Sequence, residues 1–394
     1  MATCSPGDTI ILPRNAHVSA TTGVVLCGAT PKYIVPQHNL DWDIAAGVTL
    51  FQVKLAIKES KMEGRKVAAV FVTSPTYNGI CSNLSEISKI CHSQEIPLIV
   101  DEAHGAHFKF HPEMPKTALG QGADISIQST HKVLSSFSQS SMLHISGEMI
   151  DREMLHKCLH SLQTTSPNWL LLASLDAARH QLSTNPNTIF DKVVKLANEA
   201  KILISKIPGF SILDISAFPD FPAIDPLRVT ISVWRLGLSG FQANEILHNN
   251  HGILVELVST NTVTLVFSLG TTSEHVQSLV SGLQHLSTTY SLQNYEKEKV
   301  SFTGITPYDI PVMSLNPREA FFASKMRVKF QESNGEVCGE FICPYPPGIP
   351  LLVPGEVITE KELDYLQQLK YLGGSVIGAA DPLLDSIVVC KKSH

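Results

Sequence analysis

The sequence is poor in charge, and what charge it has leans acidic. Charged residues are 17% of the 394 positions and the formal net charge is −6, so no basic field spreads over the surface to hold nucleic acid or an anionic membrane. Long hydrophobic runs are also lacking. The longest, residues 169–173 and 349–353, fall far short of the roughly 20 apolar residues of a spanning helix. The eight cysteines include no CxxC pair and no His/Cys spacing of a zinc site, so no metal is expected. No leader or basic amphipathic stretch opens the chain. With scattered cysteines, that favours a reducing compartment and buried thiols, with cytoplasm as the default and a plastid form open for a longer chain. Internal repeats and low-complexity tracts are absent too.

What is present is ordinary globular material, 43% hydrophobic, and long enough for about two or three domains. The first half alternates short β-branched runs with helical patterns: strands at 10–12, 67–72, 97–100 and 125–128, helices near 18–27 and 84–94. Each strand ends at small or polar residues, RN, TSPTYNG, DEAHGAH and STHK. That is the signature of βα units on a mostly parallel sheet, the α/β class, whose ligands bind beyond the carboxyl ends of strands.

Residues 167–206 read as largely helical. Strands return at 210–215, 228–233, 253–258 and 263–267, with helices at 241–248 and 274–286. The expected organisation is a large domain over 1–205, a small α+β domain over 206–292, a polar linker near 293–300, and a C-terminal α+β domain over 300–394.

The chemistry-bearing residues fall at strand ends. A lone lysine is usually a solvated surface residue, and a lone aspartate after a strand is usually a cap or turn former. Here Lys132 follows the strand that delivers Ser129, Thr130 and His131, and Asp101 ends the preceding strand. A lysine and a carboxylate on neighbouring strand ends suit pyridoxal 5'-phosphate: the amine forms a Schiff base with the aldehyde, and the carboxylate keeps the pyridine nitrogen protonated. His17 offers an imidazole face for the ring, and Ser129 and His131 offer hydrogen bonds to the phosphate. Lys132 or His104 is the natural proton donor, the alternative for His104 being a residue that holds the DEAHG turn; His107 and His111 read as structural. Residues 73–79 read as a turn lining the mouth. Glu256 and the CPYPPGIP loop are candidates for a substrate's distal cation, with an edge-strand surface acid and a rigid turn as the plainer readings.

At these residues a resemblance becomes specific. SPGDTIILPRNAHVS, VTSPTYNGICSNLSEI, VDEAHGAHFKFHPEMP, GADISIQSTHKVLSSFSQSSMLH and TTSPNWLLLASLDAAR resemble the ornithine/lysine/arginine decarboxylase family, of pyridoxal-phosphate fold type I. NPREAFF and ICPYPPGIPLLVPGEVIT are similar to its C-terminal domain. The likeness runs from residue 1 to about 390. It implies Lys132 as the Schiff-base lysine, Asp101 as partner of the pyridine nitrogen, Ala103 against one ring face and His17 on the other. It also implies Ser129 and His131 near the phosphate, and a homodimer whose second subunit reaches the phosphate through Thr165 or Ser166. The implied reaction is decarboxylation of a basic amino acid, arginine first, then lysine or ornithine, in polyamine-related metabolism.

One departure bears on this expectation. The family has a Gly/Ser/Thr-rich turn ahead of the CSPGD segment, where backbone N–H groups at a helix start hold the phosphate. The sequence opens inside that helix, as an N-terminally truncated member would. A catalytically inactive, decarboxylase-like or regulatory subunit is therefore the alternative. Retention of Lys132 and Asp101 weighs against it. An aminotransferase would share fold and cofactor, with Arg228 as a weak candidate for its substrate-carboxylate site.

Overall fold

The segment Val67–Thr73 (β3) carries no charged residue and is nearly continuously buried, as a strand covered on both faces requires. In the computed structural model, which describes residues 1–290, 308–345 and 347–391, it sits inside a six-stranded sheet. Its companions are β1 (Thr9–Pro13), β2 (Thr30–Ile34), β4 (Leu98–Asp101), β5 (Ile125–Gln128) and β6 (Met142–Ile145), in the order β2-β1-β3-β4-β5-β6. All neighbours are parallel except β5 and β6. The sheet is thus the mostly parallel one expected from the strand-end pattern.

Register decides what the carboxyl ends present. Thr73 pairs with Asp101, and Asp101 pairs with Ile127, so these side chains form one row on one face. The opposite face is closed by amphipathic helices. Leu84–His92 buries Leu84, Ile87, Ser88 and Cys91, the i, i+3, i+4, i+7 stripe of a helix packed on one side. Leu50–Met62 buries Val53, Ala56, Ile57 and Ser60 and starts at a Thr49/Gln52 capping box.

A second sheet of β7 (Ser211–Ile212), β8 (Arg228–Ser232), β9 (Leu257–Val258) and β10 (Thr262–Val266) runs antiparallel in the order β7-β8-β10-β9. Its strands are shorter than expected at 210–215 and 253–258. Asp214 accepts the Ser216 N–H and turns the chain into a 3-10 segment, Ile215–Ala217, which ends β7. The helix Asp191–Ile204 precedes the expected boundary at 205, yet Val193, Val194, Ala197 and Ile204 pack in one core with Val229, Ile231, Leu247 and Leu283 of the small domain. The C-terminal part has its own core around Cys338, Ile342, Leu366 and Ile387. The expected linker at 293–300 lies outside the described residues.

The C-terminal part is riveted to the large sheet. Arg14, at the end of β1 and 2% exposed, donates to the carbonyls of Pro350 (2.6 Å) and Leu351 (2.7 Å) and to Glu356 (3.1 Å). Arg318 donates to the Val25 and Leu26 carbonyls at the C-terminus of the helix Val18–Cys27, where a cation is favoured. Among the described residues no helix is long and apolar enough to cross a membrane.

Candidate active site

A cavity of about 490 Å³ opens beyond the carboxyl ends of β3, β4 and β5. His17, Asp101, Ala103, His104, Ser129, His131 and Lys132 all line it, joined by Phe71, Thr73, Tyr77, Ser19, Ala20 and Ile127. Residues more than a hundred positions apart in the chain meet there because parallel strands deliver their ends to one edge.

Asp101 is the last residue of β4, and its Oδ1 accepts the Ala103 N–H at 3.0 Å. Burial raises its carboxyl pKa, while the Ala103 bond and the charges of Lys132 and His17 oppose the rise. Its neighbour Glu102 is in a different position. That carboxylate is held by the Ala118 N–H, the Ser126 hydroxyl and the Gln128 amide. Glu102 holds the turn together and Asp101 is left for the cavity.

Lys132 lies in the short helix Thr130–Val133 that follows β5. Crowding by the cavity walls lowers its ammonium pKa, with Asp101 pulling the other way. A lowered pKa raises the share of neutral amine, the form that attacks a carbonyl. His17 caps the helix Val18–Cys27 by accepting the Ser19 N–H on Nδ1 (3.3 Å). Burial, then the Lys132 charge, lowers its pKa, so a neutral ring with its proton on Nε2 faces the cavity. His131 Nδ1 lies 2.8 Å from the Ser140 carbonyl, which fixes Nδ1 as donor and leaves Nε2 unprotonated in the neutral ring. Ser129 makes no side-chain cap bond.

The structure revises the role of His104. Its Nδ1 lies 2.7 Å from Arg228 Nη2, and a guanidinium can only donate, so Nδ1 accepts and the proton is on Nε2. Burial, then the Arg228 charge, holds its pKa well below the usual histidine range. The imidazolium expected of a proton donor is therefore disfavoured. His104 instead presents a neutral Nε2–H and packs edge-on against Tyr77, centroids 5.2 Å apart.

Thr165 and Ser166 do not line the cavity. They lie on an exposed stretch between the helices Arg152–Leu162 and Trp169–Thr184. His107 and His111 pair with Asp225 (3.1 Å) and Asp191 (3.2 Å), as structural histidines do. Glu256 is 3.7 Å from Arg228 Nη1, with its side chain 46% exposed, and is not part of the cavity wall.

Sequence reading missed Tyr77 and the site role of Arg228. Tyr77 sits in the 73–79 turn that was expected at the mouth, and only its burial, 7% exposed, marks it out. Arg228 comes from β8 of the second sheet. Gly79 lets it approach: at φ +87°, a Cβ there would lie 3.0 Å from the Arg228 Cβ.

Comparison with known proteins gives the class. The class is the amino-acid decarboxylases, carbon–carbon lyases. The Orn/Lys/Arg decarboxylase major domain matches residues 1–221 and the Orn/Lys/Arg decarboxylase C-terminal domain matches residues 297–378. The chain belongs to the Orn/Lys/Arg decarboxylase family, as its motifs suggested.

It is 35% identical over its whole length to an arginine decarboxylase of Bacillus subtilis (strain 168), covering 79% of that protein. To an arginine decarboxylase of Halalkalibacterium halodurans it is 36% identical, with 100% of this chain and 79% of that one covered. Among solved structures, the Francisella novicida lysine decarboxylase is similar at TM-score 0.76 and 25% identity, over 98% of this chain and 65% of that one. The Escherichia coli constitutive lysine decarboxylase shares the fold at TM-score 0.79 and 22% identity, with 99% and 68% covered.

Proposed function

We propose that this chain is a pyridoxal 5'-phosphate-dependent decarboxylase of a basic amino acid, releasing the corresponding amine and carbon dioxide in polyamine-related metabolism. Arginine is the first substrate, then lysine or ornithine. The observation that carries the reading is the convergence of Lys132, Asp101 and His17 on one cavity at the sheet's carboxyl edge. Two relatives bearing the name arginine decarboxylase, at 35% and 36% identity, support the substrate order.

The donor set fits the cofactor. Burial keeps the Asp101 pKa raised even against the Ala103 bond and the charges of Lys132 and His17, and a protonated ring nitrogen would be a further cation to meet that carboxylate. Pyridoxal phosphate supplies an aldehyde for the lysine amine and an electron-accepting ring for the bond pair left when a carboxylate departs. Asp101 holds the ring proton. His17 and Ala103 would hold the ring between them, and Ser129 and His131 would stand nearest the phosphate. Lys132 Nζ would hold the aldehyde and carry the proton destined for the α-carbon, the task that a neutral His104 leaves to it. Burial, reinforced by the Arg228 charge, keeps His104 neutral.

A homodimer belongs to the same reading. Trp169 and Leu170, which open the helix that follows Thr165 and Ser166, are 76% and 70% exposed, and Phe137, whose N–H donates to Ser174 of that helix, is 59% exposed, an apolar face that a second copy would cover. A cytoplasmic setting is consistent with all cysteines but Cys158 being buried free thiols.

Titrating the purified chain with pyridoxal phosphate tests the reading. The wild type is expected to develop the visible absorbance of a lysine-bound pyridoxal and Lys132→Ala is not. Equal spectra for both proteins would remove Lys132 from the role.

A further inference from the structure

A second, smaller recess adjoins the Lys132 cavity, with Tyr77 as a wall of both. Its volume is about 80 Å³, room for several waters, since one needs on the order of 10–15 Å³. It lies where the domains meet. Asn15, Asp43 and Tyr77 come from the large domain, Val258 and Thr264 from the small one, and Ile349 from the C-terminal part.

The polar lining includes the Asn78 amide and the hydroxyls of Ser259, Thr262, Thr264 and Tyr308, and three further groups stand ready to accept. Asn15 is 2% exposed. Its amide nitrogen is fixed by the Ala46 carbonyl at 3.0 Å, which leaves Oδ1 buried without a partner. Tyr77 Oη is also buried and unpartnered. Asp43 adds a carboxylate, oriented by the Thr260 hydroxyl (2.6 Å) and N–H (3.1 Å) on Oδ2 and by His38 Nε2 (3.3 Å) on Oδ1. A carboxylate has about four lone-pair sites, so these contacts leave capacity. Asp43 is held at φ +52°, a left-handed conformation that costs energy in an L-residue, and no lysine or arginine lines the recess. Apolar walls from Ile44, Leu257 and Val258 complete it.

Unpartnered buried acceptors are costly and need explaining. A guanidinium or an ammonium brings donors only and would satisfy them while neutralising the carboxylate. We infer that this recess receives the distal cation of a basic amino acid whose α-carbon is processed at Lys132, with Asp43 as its charged partner and Asn15 and Tyr77 as neutral acceptors. Naming the ligand as a decarboxylation substrate rests on the function proposed above; the recognition of a cation does not. Glu256, the acid singled out by sequence, stands beside Arg228 instead.

Calorimetry on the full chain loaded with pyridoxal phosphate tests the inference. Agmatine carries a distal guanidinium, cadaverine a distal ammonium, and pentylamine neither. Wild type should bind agmatine, cadaverine or both about tenfold or more tighter than pentylamine, the scale of one charged hydrogen-bonded contact, and the first two arms tell which cation is preferred. Asp43→Asn keeps a residue type tolerant of positive φ and should reduce that preference to a few-fold or less with pentylamine unchanged. Tyr77→Phe removes one oxygen that has no partner and should weaken the preference several-fold. If Asp43→Asn does not fold, Tyr77→Phe alone decides.

An unaltered preference in the folded variants, an equal loss for pentylamine, or no preference in wild type overturns the inference. Cation preference that depends on Asp43 without carbon dioxide release from any basic amino acid would keep the recess and remove the decarboxylase reading. The reverse result would keep the reading and remove the recess.

Discussion

The Nδ1 atom of His104 accepts a hydrogen bond from Nη2 of Arg228 at 2.7 Å, although the two residues are 124 positions apart. The contact fixes the tautomer of a histidine that a strand-end motif marks as a proton donor. It also places a permanent positive charge against a buried imidazole.

The first prediction concerns that imidazole. Burial and the Arg228 charge both lower the His104 pKa, so removing the charge should raise it, although burial will still keep it below the ordinary value. Arg228→Met should move the His104 ring titration upward in an NMR pH series. The wild-type ring should stay neutral across pH 6 to 8, and the activity profile should show no His104 limb. An unchanged His104 titration in the variant would mean that the guanidinium is not what sets it.

Asp101 should matter as a charge more than as a shape. Asp101→Asn keeps the volume and an acceptor while losing the carboxylate that partners a ring proton. Turnover should fall by on the order of 10²–10³, the scale of one preorganised electrostatic group. Glu102→Gln, in a carboxylate bonded to Ala118, Ser126 and Gln128, should instead lower thermal stability and leave the cofactor spectrum in place. Steady-state rates with melting curves for both variants check the contrast.

A third expectation lies in the rivet between β1 and the C-terminal part. Burial pushes the Glu356 carboxyl from its ordinary 4.5 up to about 7, against the pull of Arg14. The folded chain therefore binds a proton that the unfolded chain has already lost. This contribution to stability is full below about pH 4.5 and is lost as pH rises toward 7. Glu356→Gln should flatten that part of the pH dependence in urea unfolding. Glu356→Leu leaves Arg14 buried with the Pro350 and Leu351 carbonyls but no carboxylate and should cost about 3–5 kcal/mol. A pH–stability curve identical for wild type and Glu356→Gln would contradict the account.

Gly240 opens the helix Gly240–His251, and a Cβ on it would lie 2.3 Å from the Ser259 carbonyl oxygen and 2.4 Å from that of Thr262. Those carbonyls are backbone and cannot swing aside. Gly240→Ala should destabilise the chain by about 1–3 kcal/mol and, because Ser259 and Thr262 border the recess beside Asp43, should also weaken amine binding. Paired unfolding and binding curves report the two effects separately.

How much of this was legible beforehand follows from distance along the chain. Asp101 and Lys132 each end or follow a short apolar strand within a few residues, so their placement could be read locally, and the parallel register then brings them to one edge. Thr30–Ile34 escaped notice because its sequence, TPKYI, is half-buried at four positions and shows no clean alternation. The tautomer of His104 depends on an arginine 124 positions away, and the Arg14–Glu356 contact spans 342 positions. No periodicity or spacing carries such pairs. Asn15 and Asp43 look like ordinary turn residues until their neighbours from the small and C-terminal parts are in place.

The most direct measurement of the central claim is carbon dioxide release from carboxyl-labelled arginine, lysine and ornithine by the full chain supplied with pyridoxal phosphate, beside Lys132→Ala. The account predicts release by the wild type, greatest with arginine, and none above background by the variant. Release that survives in Lys132→Ala, or no release from any of the three substrates by a wild type that has bound the cofactor, would contradict it.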